Sequence, residues 1–113
     1  MEEVKQLTCT QKIQAIHDTM DVLSGKWKVS IIACLCYRGM RYSELMREIP
    51  GISGKMLSRE LKDLEMNKLV ERTVETTKPI SVYYKITPYG ASLKELTEVI
   101  AIWWLNHREV VTQ

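Results

Sequence analysis

Little in this 113-residue sequence belongs to catalysis, export or metal chemistry. Its two histidines, His17 and His107, stand far apart without a ligand motif or an obvious carboxylate partner, and neither a glycine-rich phosphate loop nor a dinucleotide fingerprint occurs. An enzyme is therefore not expected. Three cysteines, Cys9, Cys34 and Cys36, form an odd set with no CxxC and no paired ligand spacing. Neither a disulfide framework, a metal site nor any other cofactor is expected, and a reducing compartment suits the thiols. The opening "MEEVKQLTCT" lacks the basic start and apolar run of a secretory signal, and the apolar run Val99 to Leu105 is far shorter than the roughly 20 residues that span a bilayer. The expectation is a cytoplasmic protein with no membrane partner. A net charge of +2 identifies no polyanion-binding protein by its sum. Cations concentrated on one surface would suffice.

With 45% apolar and 27% charged residues, the chain has an ordinary globular composition, and its length suits one domain over 1–113. Ile13, Ile16, Met20 and Leu23 predict a helix over about 11–23, which "SGK" at 24–26 ends. A second apolar helix is predicted from Trp27 to Tyr37, and "YSELMREI" forms a third over 42–49. "PGI" at 50–52 forces a tight turn, after which Ser53 caps a fourth helix. The β-branched and aromatic runs "LVERTVE" and "VYYKIT", joined by "TTKPIS", predict a hairpin. Pro88 and Gly90 open a last helix carrying Leu93, Leu96, Ile100, Trp103 and His107 to about Glu109. The fold class is mainly α with a small β-hairpin wing, a winged helix-turn-helix, with the helix-turn-helix at about 42–67 and the wing at about 69–87.

The stretch "PGISGKMLSRELKDLE" at 50–65 carries three cations and three anions. At about 100° per residue, Lys55, Arg59 and Lys62 fall within roughly 80° of one another, opposite Leu57, Leu61 and Leu64. Ser58 lies beside the cations, and Glu60, Asp63 and Glu65 fall mostly on the flanks. Such a helix docks its leucines on a core and turns cations and a hydroxyl toward a DNA major groove, where Arg and Lys meet phosphates or guanine acceptors. Candidate DNA-binding residues are Arg41, Ser53, Lys55, Ser58, Arg59, Lys62 and Lys78, the first placed with Arg47 in the preceding helix and the last at the wing tip. The competing reading is a solvated amphipathic helix in a protein-interaction module without sequence-specific DNA binding.

These residues resemble the HxlR-type regulators, a branch of the MarR-like winged-helix proteins. The likeness runs through Cys9, "SGKW" at 24–27, "RYSEL" at 41–45, "PGISGKML" at 50–57, "LKDLE" at 61–65, "LVER" at 69–72 and "VYYKITPYG" at 82–90. It implies a homodimeric bacterial transcription regulator on a near-palindromic double-stranded operator, with the dimer built by about 1–23 and 88–109; repression is the expected sign, which the residues themselves do not decide. Two departures stand out: Ser24 precedes Gly25 where the family has two glycines, and Lys68 replaces a usual glycine. A left-handed Lys68 would cost roughly 1 kcal/mol.

The segment "VIAIWWL" at 99–105 is apolar almost all round and requires a second surface. A two-fold dimer supplies one, with Ile100, Trp103 and Trp104 at the interface, and sets two recognition helices roughly 34 Å apart. The alternative is that both tryptophans complete the monomer core. Cys34 and Cys36 read as core thiols. Cys9, with Lys5 and Lys12 near it and a helix starting just after, would favour the thiolate; the resemblance makes it a possible redox or electrophile sensor, and a packing role is the alternative.

Overall fold

Residues 6–76 and 78–113 are described by a computed structural model of the chain. Five helices and three strands follow in order: α1 Cys9–Val22, α2 Lys28–Tyr37, β1 Met40–Arg41, α3 Tyr42–Glu48, α4 Gly54–Met66, β2 Val70–Glu75, β3 Ser81–Ile86 and α5 Lys94–Val111, the last entered through a 3-10 turn at Gly90–Leu93. Helix α1 starts earlier than the apolar spacing indicates because Thr8 and Gln11 form a reciprocal cap. Gln11 N donates to Thr8 Oγ1 at 3.1 Å, and Thr8 N donates to Gln11 Oε1 at 2.9 Å. Ser53 caps α4 as expected, its Oγ accepting from Met56 N at 3.1 Å.

The expected hairpin is present and gains a third strand. β3 is central in an antiparallel sheet of order β1-β3-β2, with Met40 opposite Tyr84 on one side and Arg72 opposite Tyr84 on the other. Two residues carry no period that a sequence scan can detect, yet β1 satisfies backbone groups along an otherwise open edge of β3. Met40 points into the core and Arg41 out of it. This corrects the placement of Arg41 inside a helix: it ends β1 and caps α3, where its backbone N–H donates to Glu44 Oε1 at 2.9 Å.

Leu57, Leu61 and Leu64 of α4 are fully buried against Ile31, Ile32 and Leu35 of α2 and Leu45 of α3. That packing holds the apolar face of α4 inward and leaves its opposite face to solvent. The helix ends with Lys68 at φ 63. Lys68 N donates to Glu65 O and Leu69 N to Leu64 O, both at 3.0 Å, the two bonds of a Schellman motif whose left-handed position is usually glycine. Thr87 buttresses this turn by donating its Oγ1 to Lys68 O at 2.8 Å. Gly90 lies so close that an added Cβ would collide with the Leu69 carbonyl. Lys68→Gly is expected to relieve backbone strain of about 1 kcal/mol, offset in part by the greater freedom of glycine in the unfolded chain. The urea midpoint should rise at constant m; a fall would mean the lysine side chain contributes more than its strain costs.

Candidate nucleic-acid interface

The turn between α3 and α4 passes through Gly51 at φ +85, a left-handed conformation that glycine adopts without strain. Beyond it, Lys55, Ser58, Arg59 and Lys62 are all exposed on one face of α4. Among the described residues, none of the three cations forms an ion pair. Their charges stand unneutralised on the side opposite the leucines. Ser58 is held in place: its Oγ lies 3.2 Å from the Tyr42 hydroxyl, which itself donates to Gly54 O at 2.8 Å. Ser53 presents its hydroxyl at the helix start while its oxygen accepts the capping bond.

The remaining candidates lie on other elements. Arg41 Nε lies 3.6 Å from Glu75 Oε1, so its charge is shared with the wing. Lys78 is exposed between β2 and β3, next to a cis Pro79. Arg47 is exposed in the last turn of α3. Glu44, bonded by the Arg41 backbone N–H and then by the Arg38 guanidinium at 3.0 Å, is held below the usual carboxylate range.

Two residues escaped the sequence reading. Arg72 of β2 joins Ser58, Lys62, Glu65 and Tyr84 around a recess between α4 and the wing. The outward phase of β2 was legible, but the wing's position beside α4 was not. Lys28, the first residue of α2, is buried, and its Nζ lies 3.1 Å from Glu60 and 3.3 Å from Asp63. This overturns the reading of Glu60 and Asp63 as simple acidic borders. Glu60 is buried and both acids neutralise a scaffold lysine, which leaves Glu65 as the one of the three without a cation partner among the described residues.

Helices α1 and α5 contain no buried residue. Ile13, Ile16 and Met20 of α1 are about half exposed, as are Ile100 and Trp104, and Trp103 is 62% exposed. The two tryptophans therefore do not complete the core of this chain. His107 stacks on Trp103 at 4.8 Å with an interplanar angle of 12°. No helix among the described residues is long and apolar enough to cross a membrane.

Cys9 is exposed in the first turn of α1; Lys5, named as its neighbour in sequence, lies outside the described residues. Cys34 and Cys36 are half-buried against the core. Burial pushes both thiols up, with Glu48 adding to the effect at Cys34; at Cys36, Lys94 opposes it and Glu98 adds to it. Protonated thiols are poor nucleophiles, which leaves these two less reactive than their exposure alone suggests.

A family model described as HxlR-like helix-turn-helix matches residues 22–111. The uncharacterized HTH-type transcriptional regulator YtcD of Bacillus subtilis (strain 168) is 36% identical over 93 residues, spanning 82% of this chain and 74% of that one. Among solved structures, the redox regulator HypR in its reduced form superposes with a TM-score of 0.80 at 30% identity, covering 87% of this chain and 97% of HypR. The reduced form of the transcriptional regulator YodB from B. subtilis gives a TM-score of 0.69 at 31% identity, covering 87% and 91%.

Proposed function

We propose that this chain, which belongs to the HxlR-like helix-turn-helix family of transcription regulators, works as a two-fold homodimer that lays α4 of each protomer in successive major grooves of a near-palindromic operator. The observation that carries this reading is the separation of faces on α4: three buried leucines on one side, and on the other Lys55, Ser58, Arg59 and Lys62, exposed and without ion pairs among the described residues. Ser58, Arg59 and Lys62 read base edges, while Arg41, Ser53, Lys55, Arg72 and Lys78 fix the register through phosphates. The helix-turn-helix spans about 42–67 and the wing about 69–87. The dimer forms from about 1–23 and 88–109, where the uncovered apolar faces of α1 and α5 meet their counterparts; the first five residues of that range lie outside the described ones. The sign we assign is repression by occlusion, in the cytoplasm.

Cys9 supports a redox input. It is exposed and lies on α1, so a change at its sulfur acts directly on the helix that we assign to the dimer interface. Two of the similar structures are a redox regulator, HypR, and a reduced transcriptional regulator, YodB. The test is to select duplexes from a random pool with the purified protein, once reduced and once after a thiol oxidant, for wild type and Cys9→Ser. Wild type should return two half-sites about one helical turn apart, with affinity altered by the oxidant and unaltered in Cys9→Ser. An equal response in both proteins removes Cys9 as the sensor, and a pool without a common sequence removes the operator reading.

A further inference from the structure

An ammonium group buried without partners is strongly unfavourable, yet the chain places Lys28 at 5% exposure at the start of α2. Its Nζ lies 3.1 Å from both carboxylate oxygens of Glu60, a residue only 6% exposed, and 3.3 Å from Asp63 Oδ2, whose side chain is half exposed. Both acids lie on α4, each directly after a cation of the exposed face, Arg59 and Lys62. The turn before α2 closes around the same point: Gly25 stands at φ +84, and a Cβ there would lie 3.7 Å from Glu60 Oε2. Trp27 and Met56 border the adjoining recess, which Arg59 also lines.

The leucine face of α4 does not by itself define an angle of rotation. Apolar burial is non-directional, and a helix turned through a modest angle keeps most of it. A charge-assisted hydrogen bond fixes the distance between its partners, and the single Lys28 ammonium ties the helix at two positions about one turn apart, so that α4 cannot rotate without lengthening one of the two ties. Replacing such buried groups by apolar ones often leaves stability unchanged or improved, so their contribution has to be sought elsewhere.

We infer that Lys28, Glu60 and Asp63 are specificity-determining positioning residues: they fix the rotation of α4 about its own axis, and thereby the direction in which Ser58, Arg59 and Lys62 meet the base edges. This rests on the reading of α4 as the helix that contacts DNA. Lys28 acts through the helix and touches no base.

The experiment compares wild type, Lys28→Met, Lys28→Met/Glu60→Leu and Asp63→Asn on the duplex that wild type selects from a random pool and on a scrambled duplex of equal length. Lys28→Met strands the Glu60 carboxylate and should lower the melting temperature by roughly 10 °C or more. The double variant restores an apolar match and should melt within about 3 °C of wild type. Its ratio of affinities, selected over scrambled, should nevertheless fall about tenfold, the scale of one mismatched base pair, while the salt slope stays unchanged because every cation of the reading face remains. A double variant with both the stability and the affinity ratio of wild type would overturn the inference and leave the triad a packing feature. Should the double variant melt low, Asp63→Asn decides, since that side chain is half in solvent: its ratio should fall about threefold, and an unchanged ratio overturns the inference. If wild type selects no sequence, α4 is not a reading helix, and the inference falls together with that reading.

Discussion

Trp104→Glu is expected to sediment as a monomer and to bind operator on the order of 100-fold more weakly than wild type, the loss that follows when two linked half-site contacts become independent. Trp104 is 53% exposed within the protomer and α5 buries none of its residues, so a carboxylate there disturbs no core contact. What it disturbs is the second surface. Trp103, Trp104, Val99 and Ile100 form a contiguous exposed apolar stretch, which in a partnered state loses water and in the variant must desolvate an unpaired charge. Circular dichroism should retain the helical spectrum of wild type while sedimentation changes. A wild-type protein that is itself monomeric at full affinity would end the dimer proposal, as would a dimeric Trp104→Glu.

Removing the cations of the proposed reading face is the second large expected effect. Lys55→Ala/Arg59→Ala/Lys62→Ala should keep the fold, because all three positions are exposed and alanine is the stronger helix former. A dimer so altered loses six cations. With Lys55 on a phosphate in each half-site, the slope of log affinity against log salt falls by about 2, and loss of the Arg59 and Lys62 base contacts brings the fall in operator affinity at 0.1 M salt to about 1000-fold or more. Measurement at several salt concentrations separates the two contributions: phosphate contacts lower the slope, whereas base contacts lower the preference for operator over unrelated DNA. Unchanged DNA affinity in this variant would assign α4 to a protein-interaction surface instead.

Much of this architecture is legible one residue at a time. The period of Leu57, Leu61 and Leu64 places them inward, and the structure buries all three. Gly51 and Ser53 mark the turn and the cap by their own conformational and hydrogen-bonding preferences, and the left-handed backbone of Lys68 was open to expectation only because the resembled family usually has glycine there. These are local effects, decided within a few residues. The short strand β1 was not legible, since two residues have no period and their pairing depends on the open edge of β3. Nor was the role of Glu60: helical angles put it on a flank, and only the arrival of Lys28 from α2 makes that flank an interior.

The sequence alone determined the order of the five helices and the hairpin, the leucine face of α4, the cationic face opposite it and the apolar excess of the last helix, because each depends on spacing along one helix or strand. Tertiary structure alone decided three things: that Glu60 and Asp63 neutralise Lys28 and leave the exposed cations of α4 unpaired among the described residues, that Arg72 lines the same recess as Lys62, and that α1 and α5 both keep their apolar faces in solvent. The physical reason is range. Helical period and backbone preference act over one turn of chain, whereas an ion pair across 32 positions or a bare apolar face exists only once separate elements have been packed together.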